Sequence, residues 1–121
     1  LLFIPFTTSA AGTIDITVDW TIPADGIHVF LSANECSLDE VNNGTCRFLT
    51  ESPPSSVKPR VLTLTGAAAG AYTLYIGNRG PAEESVSWQV GLTTGGTGAT
   101  PVRGQGVARP SAKGWDGSMR P

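Results

Sequence analysis

Apolar and polar residues alternate with a period of two through most of the chain up to Thr93. In Thr13-Ile14-Asp15-Ile16-Thr17-Val18-Asp19-Trp20, Ile14, Ile16, Val18 and Trp20 share one face, and Thr13, Asp15, Thr17 and Asp19 share the other. That is a strand of an antiparallel sheet with one wet side. Ser85 to Leu92 repeats the pattern with Val86, Trp88, Val90 and Leu92 inward. Gly70 to Asn78 is the central strand: Tyr72, Leu74 and Ile76 face a core, and Ala71, Thr73 and Tyr75 take the opposite face. Tyr72 lies just past a glycine turn, where a buried ring returns its hydroxyl to the backbone of the corner.

Shorter strands are expected at Ile27–Leu31, near Arg47–Thr50 and at Val61–Thr65, with Pro23-Ala24-Asp25-Gly26 and Gly66 to Gly70 as turns. Glu51-Ser52-Pro53-Pro54-Ser55-Ser56 is expected not to pair continuously, because proline lacks the donor N–H. Leu1-Leu2-Phe3-Ile4-Pro5-Phe6 is too short for a signal core of about 7–15 residues. It reads as the first strand of a mature chain whose export signal is gone; the stub of a longer apolar anchor is the alternative. The fold class is all-β: an antiparallel β-sandwich, jelly-roll-like, with about six to eight strands and an extended irregular C-terminal tail.

That tail begins where the alternation stops. Residues 1–93 form the sandwich domain; residues 94–121 are Gly/Pro-rich, aperiodic and expected to lack order in isolation. Charge divides at nearly the same place. Residues 1–95 hold nine acids against four Lys or Arg, net −5, and residues 96–121 hold Arg103, Arg109, Lys113 and Arg120 against Asp116, net +3. A stretched basic ribbon with one tryptophan suits an acidic protein surface or lipid headgroups, so Arg103, Arg109, Lys113, Trp115 and Arg120 are the candidate partner-binding residues, Trp115 as the anchor; the alternative is a tail folded back on its own acidic domain. The acidic domain is unsuited to nucleic acid.

Cys36 and Cys46, the only cysteines, flank a loop carrying Asn43-Gly44-Thr45, both a turn signal and a glycosylation sequon. They read as a disulfide, hence an oxidising compartment, with two free buried thiols as the alternative. Taken together, the strand from Gly12 to Asp19-Trp20, the Cys36…Cys46 loop, Gly70-Ala71-Tyr72-Thr73-Leu74-Tyr75-Ile76-Gly77-Asn78 and Glu84-Ser85-Val86-Ser87-Trp88 resemble the bacterial pre-peptidase C-terminal (PPC) domain over about residues 3–93. The resemblance implies a secreted, non-catalytic β-sandwich of the kind appended to secreted peptidases, where it aids export, positioning or matrix binding.

No hydrolase elbow, phosphate loop or zinc motif is present. His28, the only histidine, lies mid-strand and reads as a packing residue. Asp15 and Asp19, four residues apart on a strand, are separated by about 13 Å, beyond the roughly 5–9.5 Å of paired glycosidase carboxylates. Asp25, Asn34, Glu35, Asp39 and Glu40 read as ordinary loop residues rather than calcium ligands. Carbohydrate stacking would need exposed aromatics, for which Phe30, Tyr75 and Trp115 are the candidates. No catalytic residue, metal, cofactor or small-molecule substrate is expected. The expectation is an exported accessory subunit, periplasmic or extracellular. It docks on a larger protein assembly, such as a membrane complex or a filament of identical copies, with the tail and N-terminal segment as straps. A polysaccharide- or matrix-binding module is the alternative.

Overall fold

Strand β2 (Gly12–Trp20) runs between β5 (Arg60–Ala67) and β7 (Glu84–Thr94), antiparallel to both. In this computed structural model, residues 1–21, 26–55, 57–79, 83–94, 97–98 and 102–108 are described. The far edge of β7 takes two further strands: β9 (Val102–Ala108) beside Glu84–Val90, and the two-residue β8 (Thr97–Gly98) beside Thr93 and Thr94. The facing sheet has the order β1 (Leu2–Thr8), β6 (Gly70–Asn78), β3 (Ile27–Ala33), β4 (Phe48–Ser55). Because β1 pairs with β6 and β2 with β7, the first and second halves of the chain interleave across both layers, as in a jelly roll.

One interior joins the layers. Ile14, Ile16, Val18 and Trp20 of β2 and Val86, Trp88 and Val90 of β7 meet Leu2, Ile4, Val29, Leu31, Tyr72, Leu74 and Ile76 from the opposite sheet. Tyr72 closes the expected corner: its hydroxyl donates to the Ala68 carbonyl four residues back. The prolines disturb the pairing as anticipated but do not end the strand, which the sequence places near Arg47–Thr50. Strand β4 continues to Ser55, but its register on β3 shifts between the Ile27–Ser55 and Val29–Ser52 pairs, the stretch holding Pro53 and Pro54. An edge strand tolerates this, since only one side needs donors.

Three features depart from the sequence expectation. First, Leu1, Leu2, Phe3 and Ile4 are almost fully buried in β1 and the chain start before it. The N-terminal segment is therefore a strand of this fold, as its leading reading has it, where the sequence also offers it as a strap.

Second, the β1-β6-β3-β4 sheet has no wet side at its centre. The disulfide loop contains a helix, α1 (Leu38–Asn43), which roofs the outer face. Ser37 caps it: its Oγ accepts from the Glu40 N–H at 3.1 Å, and Glu40 Oε1 accepts from the Ser37 N–H at 2.9 Å. Gly44 ends the helix at φ 80°, a left-handed position that suits glycine. Beneath the roof, Leu1, Phe3, Phe30, Tyr75, Val41 and Cys46 form a second apolar cluster. The Cys36–Cys46 disulfide is formed and ties the two ends of the roof together. Closing a loop of this length contributes about 2–3 kcal/mol in the chain-entropy account.

Third, the chain does not lose regular structure at Thr94. Strand β7 runs through that residue, and β9 restores sheet pairing along seven residues. The expectation of an irregular tail thus fails for residues 102–108; residues 109–121 lie outside the described residues.

Candidate interaction surface

Strand β9 is seated by small residues. Gly104 pairs with Trp88 and Gly106 with Val86, so both glycines turn toward the interior, and the Trp88 indole lies across them. A Cβ on Gly104 would stand 2.3 Å from Trp88 Cζ2 and 2.6 Å from Cε2, so no side chain fits there. At the strand's end Ala108 is fully buried, and Asn78 Nδ2 of β6 donates to its carbonyl at 3.1 Å. That bond crosses between the layers. It fixes the end of β9 at Ala108.

The outward side of β9 extends the wet face of its sheet. Arg103 is exposed and pairs in register with Gln89, which lies beside Thr17; Gln105 likewise pairs with Ser87 beside Asp19. Shallow depressions run along this face, lined by Asp19, Ser85, Ser87, Gln89, Arg103 and Gln105. Arg103 is thus the one predicted partner-binding residue that the structure places. Arg109, Lys113, Trp115 and Arg120 lie outside the described residues.

The carboxylates on this face serve local contacts. Asp15 Oδ1 accepts from the Thr63 hydroxyl at 3.0 Å, and Asp19 sits 3.4 Å from Lys58 Nζ, which is 6.0 Å from the centre of the Trp20 ring. Among the described residues, no three His, Cys, Asp or Glu side chains group closely enough to hold a metal ion. Glu40 is occupied in the helix cap, and Asp25 lies outside the described residues. Glu84, almost fully buried, accepts from both the backbone N–H and the hydroxyl of Thr21.

Two of the three aromatics considered for sugar stacking are interior. Phe30 and Tyr75 are fully buried and stacked at 4.9 Å and 11° under α1, with Phe3 edge-on to Tyr75 at 5.0 Å. The alternation marked Tyr75 as turned away from the main core, correctly, but could not reveal that a helix covers that side. Among the described residues the large apolar side chains left exposed are Leu49, Val57 and Val61, none aromatic.

His28 packs as read from the sequence. Its ring tilts on Phe30 at 4.7 Å, and Nε2–H donates to Glu51 Oε2 at 3.0 Å. Burial holds its pKa below the usual 6.5; the hydrogen bond and charge of Glu51 oppose that shift without cancelling it, and Arg79 reinforces it. The imidazole is therefore neutral in the folded protein where an unfolded histidine would begin to charge. The unfolded chain binds more protons as pH falls below about 6.5. The His28 contribution to stability should be complete above that pH and drain away as the pH drops through the folded value. Chemical denaturation of the wild type and His28→Gln across this range checks it: the wild type should lose stability relative to the variant on acidification.

No helix among the described residues is long and apolar enough to cross a membrane. No protein-family model, curated protein or solved structure matches the chain.

Proposed function

We propose that this chain is a non-catalytic accessory domain, exported to the periplasm or cell exterior, that docks on a larger protein assembly through the basic segment following β9. The observation that carries the reading is the anchored end of β9. Asn78 holds the Ala108 carbonyl at the margin of both sheets, so a segment with Arg109, Lys113 and Arg120 against Asp116 starts from a fixed point on an acidic domain. The Arg103 side chain continues that positive charge onto the sheet face. A docking strap needs this arrangement: a rigid origin, opposite charge from its carrier and an aromatic anchor, Trp115. The Cys36–Cys46 disulfide supports an oxidising compartment. The likeness to PPC domains supports a non-catalytic, appended role.

Shortening the chain to end at Ala108 tests the proposal in the cells that make it. The full chain should fractionate with a high-mass assembly from the periplasmic or secreted fraction. The shortened chain should fractionate as a free domain with an unchanged melting temperature. Retention of the shortened chain in the assembly, or a full chain that is free, would refute the docking role of residues 109–121.

A further inference from the structure

We infer that the free edge of β9 pairs with β9 of a second copy, antiparallel, about a two-fold axis at Gln105. One edge of β9 is satisfied by β7; the other has no strand partner among the described residues. It therefore presents a row of backbone N–H and C=O groups, which is a template for another strand.

The remaining sheet edges are blunted. Strand β1 carries Pro5, and β4 carries Pro53, Pro54 and register shifts. Strand β5 lies against β4, where Arg60 Nε donates to Ser52 Oγ at 2.7 Å. Strand β9 has neither proline nor register shift, and Arg103 is its only charge. Among the described residues, β9 is the edge strand of five or more residues that has neither proline nor a register shift against its neighbour, although Leu2 of β1 approaches it from the facing sheet.

The strand is also complementary to itself. Antiparallel pairing about Gln105 sets Arg103 opposite Val107 of the other copy and Gly104 opposite Gly106, so no like charges meet. Parallel pairing would put Arg103 against Arg103. Antiparallel pairing further brings Ala108 beside Val102 of the other copy, and joins two domains whose residues 1–108 each carry net −4 to chains whose residues 109–121 each carry net +2. The contact is isologous and closes as a dimer, so it does not propagate into a fibre. It is independent of docking on a different protein. A seven-residue edge buries little apolar area, which places association in roughly the micromolar-to-millimolar range of transient contacts.

The full chain carrying Gln105→Cys tests this, because Gln105 is exposed and its replacement leaves the interior intact. Under mild oxidation it should form a covalent dimer at least about tenfold faster than Val61→Cys, another exposed position, on β5, since pairing raises the local thiol concentration. Sedimentation of the unmodified chain should show concentration-dependent dimer, and Gln105→Asp, which opposes two carboxylates at the axis, should lower its association constant about tenfold. Equal cross-linking rates for the two cysteine variants would overturn the inference. So would an unmodified chain that stays monomeric at millimolar concentration, leaving the edge to a foreign strand.

Discussion

Replacing Tyr75 with alanine should destabilise the domain by about 3–5 kcal/mol, the range for deleting a fully buried aromatic. The ring is fully buried between Phe3 and Phe30, with Phe48 at 6.3 Å, so few neighbours can move into the space it leaves. The hydroxyl adds a second loss. It accepts from the Cys36 N–H at 2.8 Å and bonds Ser32 Oγ at 2.8 Å, which ties the start of the disulfide loop to the sheet beneath. Tyr75→Phe keeps the packing and strands the Cys36 N–H, while Ser32 Oγ retains its bond to the Asn34 carbonyl at 2.9 Å, for about 1–3 kcal/mol. Denaturant unfolding of both variants separates ring from hydroxyl. An alanine variant that loses less than the phenylalanine variant would mean the cluster under α1 is not a core at all.

Tyr75 also marks a limit of what periodicity carries. Alternation reports that a strand has two faces; it does not report whether one or both are covered. For β2 the two coincide: Asp15, Thr17 and Asp19 oppose an unbroken apolar row, and the wet face is wet. For β6 the second face holds Ala71, Thr73 and Tyr75, too mixed to announce a second core. Thr73 is buried, and its hydroxyl has no hydrogen-bond partner among the described residues. The roof itself was legible. Ser37-Leu38-Asp39-Glu40 has the Ser-x-x-Glu spacing of a helix capping box, and Gly44 stands at the helix end. Between two cysteines the Asn43-Gly44 pair reads instead as a turn, which hid a helix of six residues.

The interaction surface was less legible because its central strand offers no apolar residue at its two mid-strand inward positions. Val102-Arg103-Gly104-Gln105-Gly106-Val107-Ala108 looks like linker by composition. What identifies it as a strand is the alternation of glycine with larger residues, a pattern that makes sense only against a flat ring. Trp88 supplies that ring from β7, sixteen residues earlier in the chain, and its size leaves room for backbone and nothing more. The sequence shows the tryptophan and the glycines separately; their juxtaposition is a product of register.

That reading predicts the sign of Gly104→Val. In an unconstrained strand, replacing glycine with valine stabilises, by roughly 0.5–1 kcal/mol from chain entropy and β propensity. Here the new Cβ would stand 2.3 Å from Trp88 Cζ2 and 2.9 Å from Nε1, and the indole is itself wedged in the interior at 5% exposure. The ring has nowhere to retreat, so β9 must lift. The expected cost is about 3 kcal/mol, and it cannot exceed the free energy with which β9 holds to the domain. Hydrogen exchange should show where it falls: amides of β9 lose protection, while those of β2 and β6 keep theirs. Gln105→Val, one residue along and facing outward, should stay within about 0.5 kcal/mol of the wild type. Lifting β9 also removes the edge proposed to join two copies and the fixed origin of the basic segment. Gly104→Val should therefore abolish self-association and high-mass fractionation together, whereas Gln105→Asp should weaken only the first. A Gly104→Val protein as stable as Gln105→Val would mean that Trp88 does not rest on β9, and both proposals would lose the seat on which they stand.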